Sequence, residues 1–176
     1  MIVKISPELL SLAIHNASLR LIESLRNNRN DSLFAKGWTG AFMAHYYGAI
    51  GELAAALALN VFPGFKINQF STKESDLLGG LEVRHRKNLS HDLIIRDSDP
   101  DDKRFILTRG EPPDIEITGW IIGENGKKEE YRRNFGGYGP CWFVPAEALN
   151  PIESFYANNN RENNYGSVCS GDKRYT

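Results

Sequence analysis

The chain carries only two cysteines, Cys141 and Cys169, among 176 residues. That is too few for a disulfide framework, and their spacing fits no zinc site. No uncharged apolar run approaches the ~18 residues of a membrane helix. The opening MIVKISPELL lacks the apolar core and small-residue cleavage site of a secretory signal. A surplus of either charge is missing too: 21 Lys and Arg against 22 Asp and Glu give a net −1. This removes a whole-molecule attraction to nucleic acid but leaves room for a local basic patch. With 41% hydrophobic and 24% charged residues, collagen-like and mostly disordered classes are excluded. What remains is a soluble protein of a reducing compartment, short enough for one domain.

Residues 7–27 read as a helix, with Ser6 as its cap, Pro7 at the first helical position and Glu8 complementing the dipole. Leu9, Leu10, Ala13, Ala17, Leu21 and Leu25 recur at helical spacing. A second helix is expected over 41–59, capped by Thr39. Its Gly48 and Gly51 each cost ~1 kcal/mol against Ala, so close packing against a sheet is the reason to expect them there. After Phe62-Pro63-Gly64 the chain turns to strands, with candidates at 65–70, 81–87, 91–96, 104–109 and 114–122. Residues 124–140 read as a surface loop, and a short helix is expected over 145–149. Helices followed by a mainly antiparallel or mixed central sheet of about five strands give an α+β (mixed α/β) domain over 1–155. The Asn-rich stretch 156–176 is either a docked arm or a disordered tail.

Chemistry concentrates in SDLLGGLEVRHRK. On an extended strand Glu82, Arg84 and Arg86 share one face, while Leu81 and Val83 face the other way. The same pattern also describes a solvated edge strand. Asp76 would lie about 20 Å from Glu82 along a straight strand at ~3.3 Å per residue. Only a turn can unite the two acids, and Gly79-Gly80 supplies that freedom. Paired carboxylates beside a cation are what Mg²⁺-assisted phosphodiester cleavage requires.

Asp76, then Glu82-Val83-Arg84, preceded by Glu52 in a small-residue helix, resembles the PD-(D/E)XK nuclease superfamily. The resemblance covers roughly 41–122. It implies a restriction-endonuclease-like fold and a DNA nuclease using Mg²⁺ or Mn²⁺. It further implies that Asp76, Glu82, the Val83 carbonyl and Glu52 hold the ion. Arg84 stands where the family has lysine; arginine keeps its proton and cannot act as a base, though it can hold a phosphate or orient water. The resemblance implies that Arg84 is the catalytic cation stabilising the charge that builds on phosphorus. Lys73 and Lys87 are the nearby amines. The wider pattern, with GWIIG and WFVP downstream, is similar to bacteriophage and bacterial proteins, which points to a bacterial or phage-infected cytoplasm. An inactive module that only binds nucleic acid or protein on the same fold is the alternative, and a structural phage component is a third.

Glu52 is either a surface charge or a third site carboxylate. Arg86, Lys87, His91 and Lys73 are candidates for neutralising DNA phosphates. The expected partner is DNA, with a second copy of the chain as an option and no membrane. Asp97, Asp99, Asp101 and Asp102 read as a turn, since the glycine and terminal Glu of a calcium loop are missing. Gly136-Gly137-Tyr138-Gly139 has no leading strand or following helix for a dinucleotide. Trp120 and Trp142 read as core.

Overall fold

The computed structural model describes residues 1–27, 37–65, 67, 75–77, 80–134 and 139–155. The expected strand 65–70 falls largely outside them, as do Lys73, Gly79, Cys169 and the 156–176 segment. A short strand, β1 (Ile2–Lys4), leads into α1 (Pro7–Arg26). The Ser6 hydroxyl caps α1 by accepting from the Leu9 amide at 3.4 Å. The second helix, α2, runs Gly37–Leu59. Thr39, expected as its cap, instead lies within its first turn.

The strand-rich half supplies β2 (Leu81–Arg86), β3 (Leu93–Arg96), β4 (Arg104–Glu111) and β5 (Asp114–Ile122). One turn of helix, α3 (Gly123–Gly126), and a 3₁₀ turn at Glu129–Tyr131 follow. Then come β6 (Arg132–Asn134), β7 (Pro140–Val144) and a 3₁₀ turn at Ala146–Ala148. The expected loop over 124–140 therefore contains ordered elements, and the helix expected at 145–149 is a single 3₁₀ turn. Among the described residues the strands form two sheets rather than one, ordered β1-β5-β4-β2 and β3-β7-β6. β2 runs parallel to β4, while the other pairs are antiparallel. The α+β class stands: helices first, then mixed sheet.

β4 has apolar side chains on both faces, and that divides the core. Ile106 packs with Leu81, Val83, Ile115 and Ile117 against Ile50, Leu53 and Ala54 of α2. Phe105 and Leu107 point the other way, joining Leu93, Ile95, Trp142 and Val144 of the second sheet. Trp120 and Trp142 are both buried. Gly51 marks the closest approach of α2 to the sheet. A Cβ there would fall 2.7 Å from His85 Cβ and 2.8 Å from Thr108 Oγ1. Gly48 has a different neighbour, since its Cβ would meet Arg20 Nη1 at 3.7 Å rather than the sheet. No helix among the described residues is long and apolar enough to cross a membrane.

Candidate functional site

Among the described residues β2 is an edge strand, with β4 as its partner strand on one side and a bridge from Leu77 to Leu81 on the other. The amide and carbonyl of one strand residue point to the same edge, so every second residue offers both to the open side. Leu81 and Val83 are two such residues. The Leu81 carbonyl accepts from the Leu77 amide at 3.2 Å, and the Val83 amide donates to Asp76 Oδ2 at 2.7 Å. Between them the backbone reverses through Gly80 at φ 79°, a conformation glycine adopts without strain. This turn folds Asp76 back beside β2. The Glu82 carboxyl is raised above its ordinary pKa, first by burial and then by the charge of Asp76, against the opposing pull of Arg84 and Lys103. The two acids therefore act on one another across the turn.

Glu52 reaches the same neighbourhood from α2, but both its oxygens are engaged. Arg20 of α1 donates to them through two nitrogens at 2.7 and 2.6 Å, a buried bidentate pair. Burial still pushes the Glu52 carboxyl up to about 7, with Asp76 and Glu82 adding repulsion and Arg20 opposing. Among the described residues no three His, Cys, Asp or Glu side chains are grouped to hold an ion. The Glu52 assigned to the metal is thus bound to a guanidinium, because α2 presents it to α1.

Arg84 is held from three directions. Its guanidinium donates to Asp99 Oδ1 at 3.0 Å, lies 3.7 Å from Glu82 Oε2, and sits 5.3 Å from the Phe105 ring centroid. Asp99 in turn accepts from the Arg96 amide at 2.8 Å, so the acidic stretch is a turn built around Arg84 and not a cation loop.

The basic run beyond Arg84 divides. His85 faces α2, accepts or donates at 3.0 Å with Thr108, stacks on Tyr47 at 5.5 Å, and is pushed down to about 4 by burial. Burial thus favours its neutral form, so it adds no positive charge to the run at neutral pH. Arg86 is half-buried, 3.4 Å from His91. Lys87 pairs with Glu111 at 3.0 Å and lies over Tyr47. Lys87 is five residues past Glu82, roughly 17 Å at ~3.3 Å per residue, so it cannot be the amine of the acidic pair. Beside it Lys87, Asn88, Leu89 and His91 line a cavity of 540 Å³.

Two residues of the site carry no motif. Arg20 lies one turn beyond Asn16 and one before Ser24, all three buried inside the apolar stripe of α1. A cation within such a stripe was the available signal. Lys103 enters from the start of β4 and donates to Ser75 Oγ, next to Asp76.

The donor set suits a hard divalent cation: Asp76, Glu82 and a Val83 carbonyl that shares the open edge with its amide. Mg²⁺ typically takes one or two carboxylates and keeps several waters, so Glu52 is not needed. Comparison with family models, curated proteins and solved structures finds no match to this chain.

Proposed function

We propose that this chain is a metal-dependent DNA nuclease acting in the cytoplasm, as the resemblance to the PD-(D/E)XK superfamily implies. The observation that carries the reading is the Asp76 carboxylate fastened to the Val83 amide beside a Glu82 whose burial and charged neighbour raise its pKa. Carboxylates that repel in a half-buried niche are stabilised by a cation between them. Asp76, Glu82 and the Val83 carbonyl would hold Mg²⁺ or Mn²⁺, which when bound polarises a phosphate oxygen and lowers the pKa of a water. Glu52, clamped by Arg20, would strengthen the local negative field without touching the ion. Arg86, Lys87 and His91 would neutralise backbone phosphates on the DNA path.

Purified protein incubated with plasmid and linear DNA should cleave with Mg²⁺ or Mn²⁺ and not with EDTA. Asp76→Asn should abolish cleavage. Protein that binds DNA yet is inert with every divalent ion would instead be a binding module on the same fold.

A further inference from the structure

We propose that Lys103, and not Arg84, is the cation that meets the substrate phosphate at the Asp76–Glu82 site. The inference rests on the nuclease reading. In the parallel pairing of β2 with β4, Glu82 lies opposite Phe105 and Arg84 opposite Leu107. Paired residues share a face, and Lys103, two residues before Phe105, extends along that same face. It approaches the acids from the open end, opposite Arg84. Its ammonium donates to Ser75 Oγ, adjacent to Asp76, and its charge acts on Glu82.

The two cations differ in what already holds them. Arg84 is bonded to Asp99, close to Glu82 and stacked over Phe105, and through Asp99 it ties β2 to the turn after β3. Moving it onto a phosphate would break an ion pair and open that turn. Among the described residues, Lys103 forms no ion pair within 4 Å, and its hydrogen bond is to a neutral hydroxyl. Exchanging that hydroxyl for a phosphate oxygen sets an anion against the ammonium, an ionic attraction that the neutral hydroxyl does not offer. A lysine also presents a compact, strongly hydrated charge that can hold a water beside the phosphate. The amine that the strand motif lacks at position 84 thus arrives from the neighbouring strand.

The test compares wild type, Lys103→Gln, Lys103→Arg and Arg84→Gln. It measures single-turnover cleavage of linear duplex with Mg²⁺, duplex affinity in EDTA, and Mn²⁺ affinity by calorimetry. Lys103→Gln should lose about 100-fold or more in rate, the scale of one lost oxyanion donor, while duplex affinity changes by less than about threefold. Removing a positive charge beside the acids should also tighten Mn²⁺ several-fold, which a purely structural lysine would not do. Arg84→Gln should melt earlier and lose less rate than Lys103→Gln. If Lys103→Gln does not fold, Lys103→Arg carries the test, with a loss of about tenfold or more expected. Active wild type alongside Lys103 variants of unchanged rate and unchanged Mn²⁺ affinity overturns this inference alone. Wild type that neither cleaves nor binds Mn²⁺ overturns the nuclease reading, and this inference with it.

Discussion

Arg20 and Glu52 are each almost fully buried, and their two short bonds tie α1 to α2. Breaking a buried pair by removing one partner typically costs ~3–5 kcal/mol, whereas replacing both by apolar residues is often neutral. At pH 8, where Glu52 is ionised, Arg20→Leu should therefore lower stability in urea by about that amount. Arg20→Leu/Glu52→Leu should recover most of it. Equal losses in the single and double variants would show that the pair is not a unit.

The pH dependence has a definite sign. Glu52 titrates near 7 when folded against an ordinary 4.5, so the folded chain holds this proton more tightly than the unfolded chain does. Its contribution is complete below about 4.5 and is lost as pH rises towards 7. At ~1.4 kcal/mol per pH unit the whole effect is at most about 3–4 kcal/mol. The stability of wild type relative to Glu52→Gln should fall across that window and level off above it. A difference that is flat or rises with pH would contradict the burial argument.

Among the elements, α2 depends most on one small residue. At Gly51 the helix rests on His85 and Thr108 with no space for a methyl group. Gly51→Ala would gain ~1 kcal/mol in helix propensity, but overpacking at a rigid contact costs ~1–3 kcal/mol. A lower urea midpoint is expected for Gly51→Ala, and little loss or a gain for Gly48→Ala, whose nearest neighbour is a side-chain tip at 3.7 Å. The glycine excess of this helix was legible in the sequence; which glycine meets the sheet was not, because that depends on the rotation of α2 over β2 and β4. The ends of α1 were legible for the opposite reason, since Ser6, Pro7 and Glu8 act within one turn. β1 gave little local signal, because three residues form a strand only by pairing with β5 more than 100 positions later. The division into two sheets was equally hidden: it follows from β4 having two apolar faces, which a single strand cannot announce. In the site, Asp76 and Glu82 were visible as acids joined by glycines, whereas Lys103 comes from a distant element and looks like an ordinary surface cation. The one signal for Arg20 was its place inside the apolar stripe of α1.

At the scale of the whole molecule, the acidic pair links metal binding to folding. Asp76 and Glu82 come together only when the chain is folded, so their repulsion weighs against the native state. An ion bound only by the native state stabilises it by about 2.7 kcal/mol at 100 times its Kd. For a chain of this size that corresponds to a rise in Tm of roughly 5–10 °C, at ~2–4 °C per kcal/mol. Asp76→Asn separates the two effects. The amide keeps an oxygen that can accept from the Val83 amide, so the turn remains bonded, but the negative charge is gone. In EDTA the variant should melt above wild type, because the repulsion with Glu82 has been relieved. In Mn²⁺ or Mg²⁺ the order should reverse, because wild type gains the ion and the variant largely does not. Lys103→Gln should show the opposite balance: it removes one of the two cations that ease Glu82, so it should melt lower in EDTA and rise further with Mn²⁺. Scanning calorimetry of the three proteins in EDTA and in a Mn²⁺ series tests this. Parallel ion-dependent shifts in wild type and Asp76→Asn would mean that the ion binds elsewhere and that the turn at Gly80 serves only to seal the edge of β2.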